Sequence, residues 1–372
     1  MNDATQIVTE DLDTICDALA AELPHMAGKS VMITGGAGFL GYYLVQGLLH
    51  FNTRSPSTPI SVSVYDNFSR GLPDWLNNLS GNPHLRLVKH DITHPLPADF
   101  PDFDFIIHAA SIASPIYYRK HPIETMDANV NGLRQLLDHC LERVRSGRKP
   151  IEGFLFYSTS EIYGDPTPEN IPTPETYRGN VSCTGPRACY DESKRYGETL
   201  CVNFAQVHGL PIKTARPFNN YGPGLKITDG RVLPDMARDI LAGRDIVMLS
   251  DGSPTRTFCY ITDAIVGYLK ILVRGRAGEA YNVGVETPEI SMGDLAETLV
   301  RLSAELFGYK GRVVRGVSAD KNYLVDNPNR RCPDIRKARS ELDFAPATRL
   351  EDGLRRMLLW YAANQTSGGE EK

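Results

Sequence analysis

The sequence predicts an α/β fold: a doubly wound parallel sheet joined to a smaller C-terminal lobe. Three observations predict it. Short apolar, β-branched runs alternate with stretches of helical apolar spacing as far as Ala215. A glycine-rich segment, Thr34-Gly-Gly-Ala-Gly-Phe-Leu-Gly41, joins the first run to the first helical stretch. After Phe218 the regular alternation stops, and proline and glycine cluster at residues 221–224 and 251–254. Strands that alternate with helices form a parallel sheet covered on both faces.

The elements follow in order. Residues 1–28 form an N-terminal extension in which Ile7, Leu12, Ile15, Leu19 and Leu23 recur at near-helical spacing. Such a stripe predicts a short amphipathic helix that packs on the body rather than one that awaits a partner. The body opens at Lys29, with strands expected over 30–34, 60–65, 85–88, 103–108, 154–158 and 212–215. Helices are expected over 40–51 and 122–145. Residues 29–217 make the dinucleotide-binding domain, and 218–364 are mainly the substrate-binding lobe. Residues 263–273 and 280–283 are expected to return to the first domain, within 258–285. The last residues, 365–372, read as a disordered tail.

Composition narrows the class. Of 372 residues, 41% are hydrophobic and 23% charged, values ordinary for a soluble globular chain. The net charge of −5 lacks the basic footprint of a nucleic-acid binder. No apolar run approaches the roughly 20 residues that span a bilayer, and the acidic start is unlike a secretory signal. The seven cysteines form no CxxC pair, so reduced thiols in a cytoplasmic protein are expected. The nine histidines show no HExxH pattern, and no metal is expected.

The glycine segment is the first chemical signal. Gly36, Gly38 and Gly41 satisfy GxGxxG, and Gly35, Gly38 and Gly41 satisfy GxxGxxG. Between strand and helix, these glycines permit a tight turn and let backbone N–H groups reach a pyrophosphate. This is the Rossmann arrangement. Gly35, Gly38, Phe39, Leu40 and Gly41 are therefore candidate cofactor contacts. Asp66 closes the second strand and can accept from a ribose hydroxyl, which favours NAD over NADP; Arg70 nearby weighs against that preference. Asp91 follows the third strand and is placed to meet the adenine. Asn67, Ile92 and Ala109 complete the cofactor set.

The second signal is Tyr190-Asp-Glu-Ser-Lys194. At this spacing both side chains share one helical face. The lysine cation is expected to favour the phenolate and lower the tyrosine pKa from about 10, so that Tyr190 can take a proton from a sugar hydroxyl. Thr159 and Glu161, just beyond the fifth strand, offer a hydroxyl and a carboxyl where catalytic groups are expected.

With these segments in view, the chain resembles the extended short-chain dehydrogenase/reductases, and within them the UDP-glucuronate decarboxylases. The likeness runs from about Lys29 to Tyr361. It includes Ser158-Thr-Ser-Glu161, Gly185-Pro-Arg-Ala-Cys-Tyr-Asp-Glu192, Asp229-Gly-Arg-Val232, Thr255-Arg-Thr-Phe258 and Arg331-Cys-Pro-Asp-Ile335. The resemblance implies Tyr190 as base, Lys194 as its partner and holder of the nicotinamide ribose, and Thr159 as the catalytic hydroxyl. It implies Glu161 and Arg331 as the active-site acid and arginine. Tyr118 and Ser160 would lie at the sugar, Asn219 and Arg231 at the diphosphate, and Arg256 at its phosphates. It also implies NAD, a nucleotide-sugar substrate with UDP favoured, and a homodimer built on the tyrosine helix.

The expected reaction is decarboxylation of UDP-glucuronate to UDP-xylose through a 4-keto intermediate. Alternatives are a 4,6-dehydratase, a uronate 4-epimerase, or an enzyme that stops at the 4-keto-pentose. A non-catalytic NAD sensor is disfavoured by the intact Tyr190–Lys194 pair. Two departures from the family stand out: Gly222-Pro-Gly224 replaces a usual Gly-Pro-Arg, and Ile112 replaces a usual proline.

Overall fold

Seven short apolar runs pair into one parallel sheet in a computed structural model that describes residues 3–318 and 325–364. The tail expected at 365–372 lies outside the described residues. The strands are β1 (Ser30–Thr34), β2 (Ser61–Asp66), β3 (Leu85–Lys89), β4 (Phe105–His108), β5 (Gly153–Tyr157), β6 (Ile212–Pro217) and a seventh, Ala280–Val283. Across the sheet they run seventh, β6, β5, β4, β1, β2, β3. β4 and β5 are buried along their whole length, as strands covered on both faces must be. The order reverses between β1 and β4, where Thr34 lies level with His108. A doubly wound sheet opens its crevice at such a point, and the glycine segment leaves β1 there.

The N-terminal extension forms a helix, Asp3–Ala18, laid against three others: Phe39–Arg54, Ile261–Arg274 and Leu350–Asn364. Ile7, Leu12, Ile15, Leu19 and Leu23 are all buried. Each such aliphatic side chain contributes about 1.5–3 kcal/mol when fully removed from water. A buried acid, Asp11, fixes the register. It accepts from the hydroxyls of Tyr43 (2.5 Å) and Tyr260 (2.8 Å) and from Arg356 (2.9 Å).

One expected element differs. The helix over 122–145 is broken into Pro122–Asp127 and Leu133–Arg145 by a π-turn, Ala128–Gly132. The wider turn aims the buried Asn129 at Ser193 Oγ (2.9 Å) on the tyrosine helix, Ala188–His208. It also seats Gly132 where a Cβ would lie 2.8 Å from Ile92. Turns of this kind recur at functional sites.

Beyond β6 the chain builds its smaller lobe from helices Val232–Leu241 and Met292–Phe307 and several short strands. Among these, Thr255–Arg256 pairs in parallel with Arg330–Arg331, in a register that sets Arg256 level with Arg331.

Candidate active site

A cavity of about 1720 Å3 lies between the strand ends and the smaller lobe. Every candidate residue lines it except Gly41. A Cβ on Gly41 would collide with the Gly36 carbonyl, so this glycine serves helix–loop packing.

The cofactor end is made mainly of backbone. Gly35 has φ +68°, and a Cβ there would sit 2.6 Å from Ala110 Cα; only glycine fits. Gly38 caps the helix Phe39–Arg54. The first N–H groups of a helix have no partners within it and face an anion favourably. Asp66 accepts from the N–H groups of Ala37 (3.1 Å) and Phe68 (2.8 Å), which leaves a lone pair on each oxygen for a ribose diol. Asp91 is fixed by Asn67 Nδ2 (3.0 Å) and the Thr93 N–H (3.0 Å). Arg70 is committed elsewhere, 3.2 Å from Asp229 and over the Tyr117 ring at 5.0 Å. The cradle thus fits a dinucleotide with free ribose hydroxyls, as NAD has.

At the other end, Tyr190 and Lys194 are both buried. Lys194 Nζ donates to the Tyr157 carbonyl (2.8 Å) and lies 5.9 Å from the centre of the Tyr190 ring. Burial pulls Lys194 down to about 7. Burial also pushes Tyr190 up to about 12, against a hydrogen bond with Thr159 that lowers it. The phenol is therefore raised where the sequence predicts it lowered, because spacing reports proximity and not solvation. Thr159 caps the turn Ser160–Tyr163, its hydroxyl accepting from the Glu161 N–H (3.2 Å). Tyr118 stacks on Tyr190 with centres 5.1 Å apart and planes 8° from parallel. Its buried hydroxyl has no hydrogen-bond partner among the described residues and can meet a polar ligand.

Glu161 sits between two guanidinium groups. Arg331 grips it with both terminal nitrogens, one at 2.7 Å, and Arg187 Nη2 lies at 2.5 Å. Burial alone would raise its pKa, but the two arginines outweigh burial and hold it down to about 2. Arg187 carries no signal of its own in the sequence, although it stands three residues before Tyr190 in a segment that resembles the decarboxylases. Asp191, 3.6 Å from Arg187 Nε, carries none either. Burial, joined by the charge on Glu161, pushes Asp191 up to about 8.

The remaining candidates surround this group. Arg256 donates to the carbonyls of Thr255 (2.7 Å), Pro328 (2.5 Å) and Asn329 (3.2 Å), and burial with the Arg331 charge lowers it to about 9. Asn219, in the left-handed region at φ +37°, donates to the Thr257 carbonyl (3.0 Å). Arg231 Nε lies 3.0 Å from Asp229. Ser160 and Ile112 line the same wall. The absent arginine at 224 also has a cause: Gly224 has φ +89°, and a Cβ there would lie 2.5 Å from the Tyr42 ring.

The chain as a whole is similar to known proteins. UDP-glucuronic acid decarboxylase 6 of Arabidopsis thaliana is 37% identical over 327 residues, 87% of this chain and 86% of that one. Two solved structures share the fold. The dTDP-glucose 4,6-dehydratase of Streptomyces venezuelae, with NAD bound, has a TM-score of 0.76 and 24% identity over 91% of this chain and 98% of that one. The UDP-glucose 4-epimerase of Thermotoga maritima, with UDP-glucose, has a TM-score of 0.75 and 22% identity over 90% and 99%. The profile of the NAD dependent epimerase/dehydratase family matches residues 31–284. With a glycine cradle shaped for NAD beside a buried tyrosine–lysine pair, the chain belongs to the NAD-dependent epimerase/dehydratase family.

Proposed function

We propose that this enzyme decarboxylates UDP-glucuronate to UDP-xylose through a 4-keto intermediate. One observation carries the reading: two buried guanidiniums, Arg187 and Arg331, share one charged carboxylate, Glu161, because burial and the Glu161 charge push the neighbouring Asp191 up to about 8 and keep it protonated near neutral pH. A site with one more cation than its own anion neutralises is suited to a second carboxylate. The uronate carboxylate takes the fork of Arg331 while Glu161 keeps Arg187.

Held by the Gly35–Gly38 cradle and Asp66, NAD would supply reversible hydride transfer at C4. The positive charge that the nicotinamide would bring offsets the burial that raises the Tyr190 phenol, and Tyr190 removes the O4 proton. The resulting ketone is β to the C5 carboxylate, so the bond to carbon dioxide breaks and its electron pair passes into an enolate. Tyr190 and Thr159 stabilise the enolate oxygen. C5 takes a proton that solvent water supplies, which replaces the lost carbon dioxide, and Tyr190 gives its own proton back to O4 to complete the pentose. Lys194 holds the nicotinamide ribose and Tyr118 lies along the sugar. Asn219, Arg231 and Arg256 take the diphosphate, with Ser160 at the sugar. Many 4,6-dehydratases carry an aspartate at the position of Ser160, although GDP-mannose dehydratases share the Thr-Ser-Glu seen here.

The same reading has the smaller lobe bind the substrate. It makes the protein a cytoplasmic homodimer that pairs through the tyrosine helix, whose Tyr196 and Val207 are exposed. Incubation with UDP-glucuronate and NAD is expected to release carbon dioxide and give a product lighter by that mass. Inertness toward the uronate, with loss of water from a nucleotide-hexose, would replace decarboxylation by dehydration. Light scattering on the full chain checks the dimer.

A further inference from the structure

Arg70 sits in the loop after β2, four positions beyond the ribose-facing Asp66. It reaches across the cavity to the smaller lobe, where its Nη1 lies 3.2 Å from Asp229 Oδ2. The contact is reinforced twice. Lys226 Nζ donates to the Arg70 carbonyl (2.8 Å), and Ser114 Oγ donates to the Asp229 carbonyl (2.8 Å). The Tyr117 ring supports the guanidinium at 5.0 Å. All five residues line the cavity that holds Asp66 and Gly38. The Asp229 carboxylate is nearly sealed, at 4% exposure, and faces a second cation, Arg231 Nε, at 3.0 Å. One buried acid therefore serves two arginines, one from the dinucleotide side and one from the substrate side.

We propose that Arg70, Lys226 and Asp229 form a latch across the cleft that retains the dinucleotide, and that a nucleotide diphosphate tightens it. The tightening rests on the reading of Arg231 as a diphosphate ligand. A seated diphosphate draws Arg231 off Asp229, and the whole charge of Asp229 then falls on Arg70. A latch of this sort suits chemistry in which the hydride taken from a sugar must return to the same sugar. Arg70 and Asp229 are positioning residues.

The test is the rate at which NAD leaves the full-length, NAD-loaded protein after dilution, with and without UDP, read by loss of bound cofactor. Wild type is expected to release NAD slowly, and more slowly with UDP. Arg70→Ala is expected to release it about fivefold faster, the scale of one partly exposed ion pair, and to lose the effect of UDP. Arg70→Lys should recover much of the retention. Wild-type release from Arg70→Ala overturns the latch. UDP that binds by calorimetry yet slows the variant as much as wild type overturns the coupling. UDP that fails to bind wild type refutes the nucleotide reading instead, while the release rates without UDP still decide the latch.

Discussion

The two ends of the cavity are built by opposite means. The dinucleotide end is a shape made by one contiguous glycine segment, a helix start and two strand-end acids, Asp66 and Asp91. The sugar end is a balance of buried charge assembled from three distant segments, contributing Glu161, Arg187 with Asp191, and Arg331. A shape made of backbone tolerates changes of charge, and tolerates added volume only where, as at Gly38, a Cβ meets no backbone closer than about 3.2 Å. A charge balance tolerates small changes of volume but not the loss of one partner, because the other is left buried and alone.

Substitutions at the two ends should therefore separate chemistry from cofactor binding. The largest separation is expected from Tyr190→Phe. Turnover should fall about 1000-fold, while the NAD dissociation constant, read by titration, stays within about twofold. A parallel loss of both would show that the ends are not independent.

Glu161→Gln should lower turnover about 100-fold and again spare NAD. It also carries a pH signature. The folded carboxyl is held at about 2 against an ordinary 4.5. Its stabilisation is therefore complete above the ordinary value and is lost as pH falls from 4.5 toward 2. Wild-type thermal midpoints should drop through that window, and the variant should drop less. Equal slopes would mean that the carboxylate is not clamped.

Arg187→Met should act next. With one arginine gone, a uronate can take Arg331 only by stranding Glu161 or by bringing a proton with it. The KM for UDP-glucuronate should rise about tenfold and climb further with pH, while binding of UDP-glucose stays within about twofold. A pH-independent KM would assign Arg187 to packing alone. The smallest effect is expected at the other end. A Cβ on Gly38 would lie 3.2 Å from the Gly35 carbonyl. Gly38→Ala should weaken NAD about threefold and leave turnover at saturating NAD nearly unchanged.

The same contrast decides what the sequence discloses. The glycine segment, Asp66 and the Tyr190–Lys194 pair are legible because each is local, a strand end or one helical turn. The β-branched runs likewise mark β1 to β6 within a residue or two. What escapes is long-range. Arg187 acquires meaning only when folding brings Glu161 and Arg331 to it. The π-turn answers to Ser193 and Ile92, far along the chain from Asn129 and Gly132. The pKa of Tyr190 depends on how much water folding removes, which no spacing records.

The N-terminal helix has a consequence for how the chain is made. Asp11 meets Arg356 across 345 positions of sequence. At roughly 5–20 residues per second on the ribosome, the acid waits roughly 17–70 s for its cation to be synthesised. Until then Leu12, Ile15 and Leu19 cannot be fully covered, and a chaperone that binds apolar stripes has its longest opportunity at this helix.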